Sequence, residues 1–418
     1  MFGRPNLYTS YEQETKLLPT WTQKLLLGLF ILVLFLMPFD LPIISQIPVV
    51  RFLGDEQWLR IISQVMVLMI AALGLNLLSG VAGQVSLGHA FFMGVGACTA
   101  VYLGGEANSQ VWGHGLPVWV WLPAAGIAAA LVGILVSPIA VRVRGLYLAI
   151  VTLGLVFVGI HLGNMAFGRK IAGPPSLGRE FQGFDLRLWR EETPLINMSD
   201  DGHWLWFDVS ENQKKYFFFL VMVIGFTVVA KNIVRSRTGR ALQAIRDRDI
   251  AAEVMGVPEF KYKVIVFAIS SFFAGIAGAM FAGLSGQLLS DTYNLLFSVE
   301  FIAMILIGGA GTTSGTLIGV FFVVMIPRFV EEFTKWLGDA EGGVSGAVSD
   351  ALLTTGGDGD FGIIASGIES QGWPLSVFDW NVVLFGVLII VFLIFEPLGL
   401  FGIWVKARNY WKRWPFSY

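Results

Sequence analysis

The chain has 418 residues, 55% hydrophobic and 14% charged, with a formal net charge of −2 and a mean hydropathy of +0.69. A soluble domain carries roughly 25% charged residues, and a water-soluble core holding this much apolar surface would leave too little polar surface to cover it, so a soluble two-domain enzyme and a disordered chain are both excluded. The single cysteine, Cys98, allows neither an internal disulfide nor a cysteine-rich metal cluster, and the composition reads as an all-α polytopic membrane protein.

A bilayer core of about 30 Å takes about 20 apolar residues per helix. In chain order such stretches fall at 24–44, 58–79, 85–104, 117–140, 145–165, 215–234, 263–285, 296–310, 314–332 and 378–398, about ten transmembrane helices. The third and eighth are short or rich in glycine. Residues 1–23 are polar and lack a small-residue cleavage site, so Leu25 to Met37 reads as a retained anchor rather than a signal peptide. Orientation follows from Lys and Arg near the span ends. With the N-terminus inside, the cytoplasmic set is Arg4, Lys16, Lys24, Arg142, Arg144, Lys231, the seven residues from Arg235 to Lys263, Lys406, Arg408, Lys412 and Arg413. These are 17 of the 28 basic residues, while most acidic ones fall outside. Both termini are thus expected in the cytoplasm. The chain divides into a cytoplasmic extension (1–23), a transmembrane body (24–402) and a basic cytoplasmic tail (403–418).

Several polar positions interrupt the apolar pattern. Asn76, His161 and Asn164 call for interhelical hydrogen bonds. Gly80-Val-Ala-Gly83-Gln84-Val-Ser86-Leu-Gly88-His89 cannot run as an unbroken apolar helix, because each glycine weakens helix by ~1 kcal/mol relative to Ala and Gln84, Ser86 and His89 need partners. Irregular backbone at membrane depth is tolerated where it is buried in protein or lines water, and broken helices commonly shape transporter sites. Asn76, Gln84, Ser86 and His89 are therefore candidates for a substrate pathway; the alternative is a short turn between two spans. The long insertion 166–214 carries Trp189, Trp204, Trp206 and Phe207 among charges, as a small folded cap, a docking surface or a solvated connector with interfacial Trp anchors would.

The segment 235–262 is the longest polar stretch on the inner side. Leu242, Ile245, Ala252 and Met255 recur at helical spacing, with Asp249 breaking the stripe, and Gly256 before Val257-Pro258 supplies a stop. A basic helix lying on anionic lipid is one reading. The other is a lever grasped by a protein partner, which the interspersed Asp247, Asp249 and Glu253 favour. Further on, Ser271, Gly275, Ala279 and Gly283 form a small-residue stripe for close helix packing. Glu300 sits beside the apolar run Phe301–Ile307; such a carboxylate is costly and often functional, which makes it a further substrate-pathway candidate, but in the first turn of its span it also suits a helix N-terminus. Gly308, Gly311 and Ser314 repeat the spacing of Gly80, Gly83 and Ser86, from an old duplication or two glycine-rich turns. Residues 333–377, with Asp339, Glu341, Asp358 and Asp360 among glycines, read as flexible and acidic.

Residues 235–257 (RSRTGRALQAIRDRDIAAEVMGV) resemble the cytoplasmic coupling loop of ABC-importer membrane subunits, in the form found in branched-chain amino-acid permeases of the LivM type. LGLNLLSGVAGQVSLGHAFFMGVGA (73–97), GLYLAIVTLG (145–154), SVEFIAMILIGGAGTTSGTLIG (298–319) and EPLGLFG (396–402) are similar to that family's other motifs, in one order over most of 60–330 and the tail. The insertions at 180–214 and 338–372 and the N-terminal extension are departures. The resemblance implies a bacterial inner-membrane permease, with Gly239, Arg240, Arg246, Asp249, Glu253 and Gly256 serving ATPase coupling. Its expected partners are two ATP-binding subunits, a second LivH-like permease and an extracytoplasmic solute-binding protein, with no nucleic acid. The expected cargo is a branched-chain or other neutral amino acid, with urea or a short amide as the alternative.

The chain contains no G-x-x-x-x-G-K-[ST], so any ATP is expected to be used by partner subunits and no cofactor is expected in this chain. No cluster has metal-ligand spacing, no catalytic constellation marks an enzyme, and no row of midplane carboxylates marks a stand-alone secondary transporter.

Overall fold

The computed structural model describes residues 21–39, 56–108, 111–142, 145–175, 177–181, 184–185, 202–204, 207–338, 353–354, 364–365, 375–376, part of 383–396, and 398–413. The expectations for residues 1–20, for the termini and for most of the 378–398 span lie outside them. Contact clustering divides the chain into one unit of 1–302 with 409–418 and another of 303–408.

In the first unit α1 is Trp21–Leu36 and α2 is Glu56–Leu75, which continues as a π-helical turn, Asn76–Val81. Next come α3 (His89–Gly104), α4 (Val118–Arg142), α5 (Leu146–Asn164), the short α6 (Ala166–Ala172), α7 (Glu211–Arg235), α8 (Arg237–Asp247), α9 (Asp249–Val254) and α10 (Glu259–Ser285). α11 is Leu295–Gly308, and the division between units falls within it. α2 is buried along nearly its whole length, and α10 packs against α2, α3 and α4. The small-residue stripe makes this closeness possible. A Cβ on Gly275 would lie 2.5 Å from Ala129 Cβ and 2.6 Å from Ala125 O, and Ser271 meets Gly133, both on α4. Ala279 is fully buried and Gly283 faces Phe184, so the whole stripe is spent inside this chain.

α7 begins at a capping box: Gln213 N–H donates to Ser210 Oγ at 3.4 Å and Ser210 N–H to Gln213 Oε1 at 3.1 Å, satisfying two donors that a helix start leaves open. Tyr216 Oη–H to Leu34 O (2.8 Å) and Gln213 Nε2–H to Pro38 O (2.8 Å) tie α7 to α1.

Five helices among the described residues are long and apolar enough to cross a membrane: Glu56–Val81, Val118–Ile139, Tyr147–Asn164, Glu211–Arg235 and Glu259–Ser285. Four shorter apolar helices are Lys24–Leu36, His89–Gly104, Leu295–Gly308 and Thr313–Phe329. Leu135, Leu131, Tyr147, Ile150, Phe157 and Val221 stand exposed on their outer faces, an apolar surface that water would not tolerate at this extent and that a bilayer covers.

The fold is mostly rather than wholly helical. Part of the 166–214 insertion is folded: β1 (Arg179–Glu180) pairs antiparallel with β4 (Gln287–Leu288), and β2 (Gly202–Trp204) with β3 (Phe207–Val209). Buried Phe181 and Phe184 pack on Trp121. Arg179, itself buried, donates to Trp112 O at 2.6 Å, Ile171 O at 3.1 Å and Glu106 O at 2.8 Å. It thereby gathers three chain segments, and desolvation pulls its guanidinium below the usual value.

The second unit contains α12 (Thr313–Gly338), which takes in the start of the segment read as loop, and the first ten residues of α13 (Gly399–Arg413), within which the division falls again. Leu353–Thr354, Ile364–Ala365 and Leu375–Ser376 (β5, β6, β7) form a parallel three-strand ladder. Asp339, Glu341, Asp358 and Asp360, with the glycines among them on which the flexible, acidic reading rested, lie outside the described residues.

Candidate functional site

The glycine motif breaks the membrane helix. α2 unwinds through its π-helical turn, the chain turns at Gly83, and residues 84–88 are irregular before α3 starts at His89. His89 Nε2–H donates to Ala71 O at 2.8 Å. Ala71 lies ten residues before Val81, so His89 sits about 15 Å in from the end of that helix. The expected third span, 85–104, is therefore corrected to a half-helix beginning inside the protein, since residues 85–88 are not helical.

An internal helix start leaves backbone N–H groups without helical partners, and here side chains from distant helices accept them. Leu87 N–H donates to Thr152 Oγ1 on α5 (3.0 Å), Ala90 N–H to Ser298 Oγ on α11 (3.1 Å), and Gly88 N–H to Ser86 Oγ (3.3 Å). Phe301 meets His89 edge-on at 5.3 Å between ring centroids. Three separate sequence motifs thus converge at one helix start. Thr152 and Ser298, both fully buried, escaped the sequence reading although each lies inside a quoted motif. A hydroxyl in an otherwise apolar helix was their signal.

Asn76 is fully buried in the π-helical turn and Ser86 and His89 are almost so. Gln84 is 6% exposed, yet neither atom of its amide finds a hydrogen-bond partner among the described residues. A buried amide in that condition costs about 1–3 kcal/mol unless water or a ligand meets it. Glu300 is half-buried and lies in the second turn of α11, which corrects its expected place at a helix start. The cap there is Asn294, whose Oδ1 accepts from Phe297 N–H at 3.0 Å.

The polar segment 235–256 forms two helices, not one. Ser236 caps α8 by accepting from Gly239 N–H at 3.3 Å, and the backbone turns extended at Arg248 before Asp249 opens α9. Leu242, Ile245 and Ala252 are buried as their spacing implied, but Met255 is 83% exposed. Ile250, at 67%, and Val254, at 82%, stand out beside it, with exposed Glu253 and half-exposed Asp249 between them, and Gly256 ends the helix with φ +84°. Arg240 is exposed on α8. Arg246 turns back into the chain: its guanidinium donates to Gly80 O, and a Cβ on Gly83 would lie 2.8 Å from Arg246 Cγ. Gly83 has φ +70°, so both its conformation and the arginine stem above it exclude a side chain. The polar segment and the broken helix, read separately from the sequence, are in direct contact.

In the second unit the partner motif turns at Gly309 and Gly311, φ +116° and +84°, and Gly399 fits against Ile307 O and Gly309 N. The 298–319 and 396–402 motifs therefore pack on each other.

A family model described as "Branched-chain amino acid transport system / permease component" matches residues 57–393. The High-affinity branched-chain amino acid transport system permease protein LivM of Escherichia coli (strain K12) is 29% identical over 298 residues, 68% of this chain and 66% of that protein. LivM of Salmonella typhimurium is 28% identical over the same shares, so the chain spans about two thirds of the length of these relatives. The Fructose import permease protein FruG of Bifidobacterium longum is 23% identical over 189 residues, 45% of this chain and 44% of that protein. No solved structure matches.

Proposed function

The chain belongs to the family of branched-chain amino acid transport system permease components, and from that premise we propose that it is the membrane subunit of an ATP-driven importer for branched-chain or other neutral amino acids. It is a multi-pass protein of the bacterial inner membrane. In this reading it has about ten spans with both termini cytoplasmic. It works with two ATP-binding subunits, a LivH-like permease and an extracytoplasmic solute-binding protein.

One observation carries the mechanism: the coupling segment has two working faces. Outward, Ile250, Val254 and Met255 offer an apolar knob with Asp249 and Glu253 beside it. Inward, Arg246 holds Gly80 O and lies across Gly83. A motor that grips the knob displaces α8 and α9, and Arg246 passes the displacement to the π-helical turn and to the half-helix that starts at His89. ATP drives this only through its differential affinity for the two arrangements. The unsatisfied Gln84 amide offers a donor and an acceptor to cargo or water along the path. A neutral apolar cargo needs no charged group there, and the relatives' printed cargo is branched-chain amino acids.

The test separates the two faces in the assembled transporter. Ile250→Asp with Val254→Asp abolishes co-purification of the ATP-binding subunits. Arg246→Ala leaves them bound and hydrolysing ATP but stops uptake of labelled leucine. Uptake at the normal rate by the Arg246→Ala assembly would end the proposal.

A further inference from the structure

α13 is fixed at its start, and its described residues from Lys406 to Tyr410 face outward. Gly399 abuts Ile307 O at 2.5 Å and Gly309 N at 2.7 Å from its built Cβ position, Phe401 Cβ lies against Gly309, and Lys406 pairs with Glu396 at 2.6 Å. These contacts hold the helix where the apolar run Phe301–Ile307 ends and the polar turn begins, the level of a membrane–water boundary. Gly402 is buried and Phe401 and Val405 are half-buried against the chain, but from Lys406 to Tyr410 every residue is exposed.

At about 100° per residue, Ile403, Trp404, Ala407 and Tyr410 share an arc of about 120°. Ile403, Trp404 and Tyr410 are 48%, 59% and 65% exposed. Lys406 and Arg408 flank that arc and Asn409 lies opposite it, and by sequence Trp411 joins the apolar arc while Lys412 and Arg413 join the polar one. No acidic residue occurs from Pro397 to Tyr418. An apolar face with Trp and Tyr and a purely basic polar face is the composition of a helix lying in the headgroup layer, where anionic lipid attracts each Lys or Arg. A protein-docking helix such as α8–α9 mixes both signs; this one does not.

We infer that α13 is an interfacial helix that binds anionic phospholipid, its Ile403–Trp404–Ala407–Tyr410 face entering the acyl boundary and its basic face meeting the headgroups. This is independent of the cargo and of the coupling segment.

The test uses the full chain in nanodiscs on a Cys98→Ser background. A fluorophore is attached at Ala407→Cys or at Asn409→Cys, two positions equally open in the isolated chain. With phosphatidylglycerol present, spin-labelled lipid quenches the label at 407 several-fold more than that at 409. The difference disappears in pure phosphatidylcholine and in the Arg408→Gln/Lys412→Gln/Arg413→Gln variant, which keeps the Lys406–Glu396 pair. Equal quenching at the two positions overturns the inference, as does a difference that persists unchanged in phosphatidylcholine. A 407 label shielded from lipid quencher once partner subunits are added shows instead that protein covers the face, and overturns it too.

Discussion

Thr152 holds the half-helix at its entrance. Its Oγ1 accepts from Leu87 N–H at 3.0 Å and donates within α5, and Thr152 itself is fully buried. Thr152→Val leaves that N–H unmet at a cost of about 1–3 kcal/mol, so thermal unfolding in detergent should shift downward, while Thr152→Ser stays near the parent. Gly83 is sensitive for another reason. Its φ of +70° costs a side-chain-bearing residue about 1–2 kcal/mol, and the added methyl would push on Arg246. Gly83→Ala should reduce ATP-driven uptake far more than it lowers stability. Adding Arg246→Ala relieves the clash but not the uptake, because the second change removes the link itself.

At the scale of elements, α10 is the axis against which α2, α3 and α4 close. Its crossing with α4 depends on small residues over several turns, so bulk placed there separates two helices. Gly275→Leu should sharply lower the yield of monodisperse protein. Gly225 on α7 has nothing within 4 Å of a built Cβ, and Gly225→Leu should leave yield unchanged, read by fluorescence-detected size exclusion. The cap around Arg179 predicts a second contrast. Arg179→Met removes three charge-assisted hydrogen bonds and leaves the Trp112, Ile171 and Glu106 carbonyls in search of donors. A loss of roughly 2–4 kcal/mol follows, visible as a lower melting temperature with ATPase association intact.

For the whole molecule, the sequence contains no P-loop motif, and the proposed function assigns ATP use to partner subunits. Reconstituted alone in liposomes, the chain should show no uphill accumulation of leucine; with its ATP-binding subunits, companion permease and binding protein it should. Accumulation by the solitary chain would point to a secondary transporter and would require coupling carboxylates that the sequence does not place at midplane.

Membrane residence, the polar segment with its Gly256 stop, the small-residue stripe and the family motifs were all legible in the sequence, because each depends on hydrophobicity, helical spacing or composition within a short window. The sequence could not show that Leu87 meets Thr152, 65 residues away, Gly80 meets Arg246, 166 away, or Ala90 meets Ser298, 208 away. Nor could it show that Glu300 misses the helix start or that Met255 faces outward while Ile245 faces in. Those outcomes follow from the depth at which α2 unwinds and from how closely α10 can approach its neighbours. Both are set by packing among helices far apart in the chain, and no local pattern encodes them.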